Sequence, residues 1–266
     1  MRNRLLFLFF ITSITFAKAQ TAEFGMLLGG MSYRGELNQT MFNHDARVWH
    51  SSYGFLLRQN LNAHYALRVN LLSGRVSGED AFQKYGYALQ RNLAFTSPVR
   101  ELSGLIEFNF LPIEKFGSPV KISPYVYTGL AFCYINPTLE LNGATLELSK
   151  LQLEGKAYSK IQAALPMGVG VKARAGSWVF SIEAAPRKTT TDYLDDVSTV
   201  YLNSGAFPKY MQTTIGALTD TTLINIAGRQ RGNSKDKDWY VFLGFTITHK
   251  LGNVLAQECK RLMRNQ

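Results

Sequence analysis

Two cysteines, Cys133 and Cys259, are all that this 266-residue chain carries, which excludes a disulfide-dense secreted scaffold. Long apolar runs are equally scarce. Beyond the N-terminal segment nothing approaches the ~18 consecutive apolar residues of a membrane-crossing helix. Acidic residues are few, 19 against 29 lysines and arginines, for a net charge of +10. Such a balance ordinarily points to nucleic acid. Phosphate-binding loops and dinucleotide motifs are also missing.

The N-terminus fixes the compartment. Arg2 and Arg4 precede an apolar run of 12 residues from Leu5 to Phe16, followed by Ala17-Lys18-Ala19. A basic start, a short apolar stretch and small residues at the cleavage site predict a secretory signal peptide over 1–19. The run is too short for a retained membrane anchor. Its removal takes away Arg2, Arg4 and Lys18 and no acid, so +10 becomes +7. Export excludes nucleic acid as a partner and leaves acidic lipid headgroups or another protein.

What is abundant suits strands: 46% hydrophobic residues, 12% aromatics, 22 glycines and 13 tyrosines. From residue 20 the chain reads as segments of alternating hydrophobicity separated by Gly, Asn, Pro and charged turns. From 239 to 250, Trp239, Val241, Leu243, Phe245 and Ile247 share one face, and Tyr240, Phe242, Gly244, Thr246, Thr248 and Lys250 the other. Leu102, Gly104, Ile106, Phe108 and Phe110 likewise alternate with Glu101, Ser103, Leu105, Glu107 and Asn109. A period of two is a strand's signature. Eight segments result, at 22–34, 50–61, 65–76, 98–111, 124–136, 159–173, 177–188 and 238–251. The connections after the first, third, fifth and seventh are long; the others are shorter.

Alternately long and short connections predict an all-β, eight-stranded antiparallel transmembrane barrel over 20–251, with long loops outside and both termini in the periplasm. A soluble lipocalin-type barrel would alternate equally well, with the parity inverted. Strands long enough to cross an outer membrane (~9–11 residues) favour the membrane reading. Trp178 and Trp239 at strand ends suit interfacial girdles. Pro166, inside the sixth segment, predicts a bulge. The parity of 125–132 stays open.

If the apolar face meets lipid, Glu23, Arg58, Arg68, Glu101, Glu107, Lys172, Glu183, Arg187 and Lys250 point inward. An eight-stranded barrel is just wide enough for its own side chains, and unpaired buried charges are costly. Arg58, Arg68, Glu101, Glu107, Glu183 and Arg187 are therefore expected to form a lumen charge network that plugs the barrel.

Catalytic candidates are thin. His44, His50, Ser51 and Ser52 could support acyl transfer at the rim, but no nucleophile-elbow pattern surrounds the serines. Asp192, Asp195 and Asp196 lack the ordered spacing and glycine of a calcium loop, so capping or pairing with Arg187, Lys188 or Arg231 is expected of them. His64 and His249 alone define no metal site. No enzyme activity, cofactor or metal is expected.

Several longer stretches carry a resemblance: Ser32-Tyr33-Arg34-Gly35-Glu36-Leu37-Asn38, Ile122-Ser123-Pro124-Tyr125-Val126-Tyr127, and Leu165-Pro166-Met167-Gly168-Val169-Gly170-Val171-Lys172. To these add R-K-T-T-T-D-Y-L-D-D-V-S at 187–198 and R-G-N-S-K-D-K-D-W-Y at 231–240. Together they resemble the PorG-like outer-membrane barrel family, which includes a component of the type IX protein secretion system. The resemblance spans about 22 to 251. It implies an OmpA-like transmembrane barrel and a role in anchoring a periplasmic assembly, with a periplasmic lipoprotein or secretion-machine subunit as partner.

A tail, 252–266, continues past the last strand. Asn253 could cap a short helix that groups Val254, Leu255, Leu262 and Met263 with Cys259. Cys133 is expected ~20 Å above the periplasmic rim, out of disulfide reach of the tail, since Cα atoms must approach within about 7 Å. Cys259, Lys260, Arg261 and Arg264 are thus expected to meet the partner, Cys259 through an intermolecular disulfide. A lipid-modifying enzyme, a small channel or a surface adhesin are the alternatives.

Overall fold

Side chains that alternate in polarity along a strand can bury only one face, and a sheet closed on itself buries it without leaving an edge. The computed structural model describes residues 21–42, 45–82, 93–112, 121–141, 143–201, 228 and 230–251. Its strands are β1 (Thr21–Arg34), β2 (His50–Asn60), β3 (Tyr65–Glu79), β4 (Ala94–Asn109), β5 (Ile122–Ile135), β6 (Thr138–Leu141), β7 (Ala144–Glu147), β8 (Ile161–Ala175), β9 (Trp178–Thr189) and β10 (Trp239–Leu251). All pairings are antiparallel; with the inserted β6–β7 hairpin set aside, they join successive barrel strands, and β1 pairs with β10 to close the ring. The barrel order is therefore β1-β2-β3-β4-β5-β8-β9-β10. It is the all-β, eight-stranded barrel expected.

Parity identifies the solvent. On β2, Tyr53, Phe55 and Leu57 stand exposed, while Ser52, Leu56, Arg58 and Asn60 are buried. The same alternation runs through Phe24, Met26 and Leu28 on β1, Leu102 and Ile106 on β4, and Leu243, Phe245 and Ile247 on β10, all exposed. An unbroken apolar belt around a charged interior is stable in lipid rather than water. The chain is an outer-membrane β-barrel. Trp178, edge-on to His249 at 4.8 Å, marks the short-turn rim. At the opposite rim the cationic heads of Arg34 and Lys188 lie 6.0 and 5.5 Å from the Trp239 ring.

Three local expectations change. The ladder at Pro166 skips two rungs on each side, from Thr128↔Met167 to Ala131↔Ala164 and from Pro166↔Arg187 to Val169↔Ala184. Equal numbers of residues are skipped on both strands, so a gap replaces the bulge. Thr128 Oγ1 donates to the Pro166 carbonyl at 3.0 Å across it. Second, the third long connection contains the β6–β7 hairpin and a helical turn, α1 (Leu148–Leu151). Third, β3 and β4 run on to Glu79↔Ala94, well past the ends read from apolar alternation. The parity of β5 is now assigned: Ser123, Tyr125, Tyr127, Ala131, Cys133 and Ile135 are buried, and Val126, Leu130, Phe132 and Tyr134 exposed. No described helix is long and apolar enough to cross a membrane; the crossing is made by strands.

Candidate functional site

The barrel interior is closed at two levels. The lower, nearer the short turns, is ionic. Register puts Arg58 opposite both Glu23 and Arg68. Two arginines side by side would repel, and acids interpose. Glu23 lies 2.7 Å from Arg58, and Glu107 lies 3.2 Å from Arg58 and 3.9 Å from Arg68. Lys172 also pairs with Glu107. Glu183 takes both Arg68 terminal nitrogens at 2.8 and 2.9 Å, and the hydroxyls of Tyr125 and Tyr127 donate to it at 2.7 and 3.1 Å. Gly168 makes this possible, since a Cβ there would sit 2.1 Å from the Tyr127 ring. Nearer the long loops, Arg187 pairs with Glu101 at 3.0 Å, and the Tyr240 hydroxyl donates to the same carboxylate at 2.8 Å.

Arg58, Glu107, Lys172 and Arg187 have 0% exposure, and Arg68 and Glu183 1%. A water-sized sphere does not reach these side chains from either end of the barrel. A conducting pore needs wet walls, and among the described residues this layer shows none.

The upper level is apolar, which charge counting along the strands did not anticipate. Leu27, Met31, Leu72, Val99 and Phe242 from the barrel wall join Leu37, Leu148, Leu151, Leu194 and Val197 from the long connections in one buried cluster. The loops fold inward and cork the barrel. Tyr240 and Phe242 at the start of β10 belong to this cluster, while Val241 between them, on the opposite face, is buried outside it.

Above the cork, three of the sequence stretches that carry the family resemblance meet. The Tyr33 hydroxyl donates to Asp195 at 2.5 Å and to Asp238 at 3.2 Å. Asp238 also accepts the Leu194 amide at 2.9 Å, and Asp195 the Val197 amide at 2.9 Å. Gly35 sits so close that a Cβ would lie 2.0 Å from the Tyr33 hydroxyl oxygen and 2.2 Å from Asp238. Arg231 pairs with Asp196 and with Glu154, each at 3.1 Å. Glu154 accepts the Ser198 and Thr199 amides at 2.8 Å each, and Tyr158 donates to Asp196 at 2.6 Å. Asp195 and Asp238 are pushed well above the ordinary carboxylate range, chiefly by burial, then by Glu36 for Asp195 and by Asp195 and Glu36 for Asp238. Burial also raises Asp196, against the pull of Arg231.

The structure thus places Arg58, Arg68, Glu101, Glu107, Glu183 and Arg187 inside the barrel and joins them to named partners. Of the cations suggested for the aspartates, Arg231 meets Asp196, while Arg187 turns to Glu101 and Lys188 to Trp239. Tyr33, Glu36, Glu154 and Asp238 escaped the sequence reading because their partners lie on other loops. The described hydrogen bond of His50 goes to neither Ser51 nor Ser52: its Nε2 lies 2.6 Å from Ser77 Oγ. Among the described residues no carboxylate bonds its other nitrogen, the group that would orient a catalytic histidine. Cys133 is a buried free thiol facing the lumen. Cys259, Lys260, Arg261 and Arg264, the rest of the 252–266 tail, the 1–19 signal and His44 lie outside the described residues.

The family described as "Domain of unknown function (DUF6089)" matches residues 2–207. No curated protein matches the sequence. Among solved structures, Neisserial surface protein A is similar at a TM-score of 0.42 and 8% identity, covering 86% of this chain and 97% of that one. Ail of Yersinia pestis, solved with the heparin analogue sucrose octasulfate, gives 0.39 and 9%, covering 86% and 99%. OprG of Pseudomonas aeruginosa gives 0.38 and 8%, covering 85% and 95%. Scores this low carry no information on function.

Proposed function

We propose that this chain, which belongs to the DUF6089 family, is a non-enzymatic outer-membrane anchor for a periplasmic protein assembly, specifically a component of type IX protein secretion. The observation that carries this reading is the doubly closed lumen: ion pairs seal one level and inward-folded loops the other. A barrel with dry walls offers rigidity and position rather than passage. Strand β10 ends at Leu251, paired with Ala22, on the rim of the short turns. The chain therefore leaves the barrel on the periplasmic side, where Cys259, Lys260, Arg261 and Arg264 are to engage a lipoprotein or secretion-machine subunit. The type IX assignment rests on the motif resemblance alone.

The test is a mild-detergent pull-down of the tagged protein from its own envelope, with and without reductant, beside a Cys259→Ser control. A reductant-sensitive complex with a periplasmic lipoprotein, lost in the variant, is the expected result. Recovery of the barrel alone in every lane would remove the anchor reading. A second reading, a surface adhesin, is favoured by the hydrogen-bonded outer cap, which presents a fixed face. Binding of whole cells to host or matrix surfaces, abolished by disrupting the cap, would support it.

A further inference from the structure

The outer cap brings three carboxylates from separate segments together. Oxygens of Glu36, Asp192 and Asp238 all lie within 4.8 Å of one another. They come from three chain segments: the exit of β1, the loop after β9 and the residue before β10. Asp238 is 0% and Asp192 1% exposed, and Asp195 joins the group through the shared Tyr33 hydroxyl. Among the described residues no lysine or arginine nitrogen comes within 4.0 Å of Asp192, Asp195 or Asp238. Lys237, on the same loop, donates instead to the Ser234 carbonyl at 3.1 Å.

Asp192 is decisive. Both its oxygens are buried without a hydrogen-bond partner in good geometry; only the Ser198 hydroxyl and the more distant Lys237 charge act on them favourably, although the carboxylate faces two others. Burying such a group bare costs several kcal/mol in general, and a proton would satisfy one oxygen at most. A cation satisfies both. Oxygens held 2.3–2.6 Å from a common ion, as around calcium, stand up to ~4.6–5.2 Å apart, the spacing found here. A cleft of about 350 Å³ bordered by Asp192, Ser198, Thr199 and Lys237 brings solvent alongside, leaving room for water ligands.

We propose that Glu36, Asp192 and Asp238 bind a calcium ion that ties the exit of β1, the loop after β9 and the start of β10 into one cap. An all-oxygen, carboxylate-rich donor set selects a hard cation over zinc or copper. Irregular ligands drawn from three segments suit calcium's flexible coordination better than the strict octahedron of magnesium. From sequence, Asp192, Asp195 and Asp196 are expected to cap or form ion pairs rather than to bind a metal. The fold instead groups Asp192 with Glu36 and Asp238 from a distance, while Asp196 goes to Arg231. The proposal is independent of the anchor reading.

The test is calorimetric titration of the full-length, chelator-stripped protein in detergent with calcium chloride and, separately, magnesium chloride. One equivalent of calcium should bind with a dissociation constant of about 10⁻⁴–10⁻³ M, the range of extracellular modules. Asp192→Asn, isosteric and off the barrel wall, should weaken it at least tenfold, while Glu140→Gln on the β6–β7 hairpin leaves it unchanged. Protease cleavage of the wild-type outer loops should slow with calcium at fixed ionic strength, a readout that survives if the variant fails to fold. Absence of calcium binding, equal affinity for magnesium, or unchanged affinity in a folded Asp192→Asn protein would overturn the proposal.

Discussion

Tyr33 and Asp195 are 162 residues apart in sequence and 2.5 Å apart in the structure, hydroxyl to carboxylate, fully buried above the barrel mouth. The same hydroxyl reaches Asp238, so one phenol joins the end of β1 to both arms of the longest loop.

Tyr33→Phe should therefore loosen the cap while leaving the barrel closed. Removing a donor shared by two buried carboxylates costs on the order of 1–3 kcal/mol. Urea unfolding followed by heat-modifiable gel mobility checks the size. Faster protease cleavage of the outer loops, with the barrel core intact, checks the location.

Breaking one member of the ionic layer should be worse than removing a pair. Arg68→Met leaves the buried Glu183 carboxylate without its cation, held only by the Tyr125 and Tyr127 hydroxyls, and should cost about 3–5 kcal/mol. Adding Glu183→Leu should return much of that loss, because a well-packed apolar pair is often as stable as a buried salt bridge. The double-mutant cycle in urea measures the coupling directly.

Gly168 and Gly104 offer a contrast within one barrel. A Cβ at Gly168 would overlap the Tyr127 ring, whereas at Gly104 nothing lies within 4 Å. Gly168→Ala should destabilise by roughly 1–3 kcal/mol through forced displacement of Tyr127. Gly104→Ala should be nearly silent, and parallel thermal melts distinguish them.

The cap should grow more stable on acidification in the presence of chelator. Burial first, and the surrounding acids second, hold Asp195 and Asp238 above their ordinary value of 3.8. Glu36 and Asp192 face them, while Arg231 attends mainly to Asp196 and Glu154. A native pKa above the unfolded one means the folded state binds more protons between the two. Stability thus falls as pH rises from 3.8 through the raised native values, and is regained on the way down. Thermal midpoints measured across that range in chelator should show this slope, and Asp195→Asn with Asp238→Asn should flatten it.

Most of the barrel was legible because strand parity is a local property. Trp239 to Lys250 announces its two faces within twelve residues, and inward charges such as Arg58 and Glu183 follow from parity alone. The cork was not, because Leu37, Leu148 and Leu194 sit in loops, where an apolar residue has no period to betray its direction. The β6–β7 hairpin did leave a signal in the sequence Leu141-Asn142-Gly143-Ala144, an Asn-Gly pair between alternating residues. The carboxylate cluster was hidden for a different reason. Glu36 and Asp238 are distant in sequence, and only ring closure between β1 and β10 brings their segments side by side.

Planar-bilayer recording of the refolded full-length protein tests most directly whether this barrel is closed. No discrete conductance steps are expected, with or without calcium, because Arg58, Arg68, Glu107 and Lys172 fill the layer that ions would have to cross. Reproducible single-channel steps, altered in size by Arg68→Met, would show a passage through that layer and contradict closure.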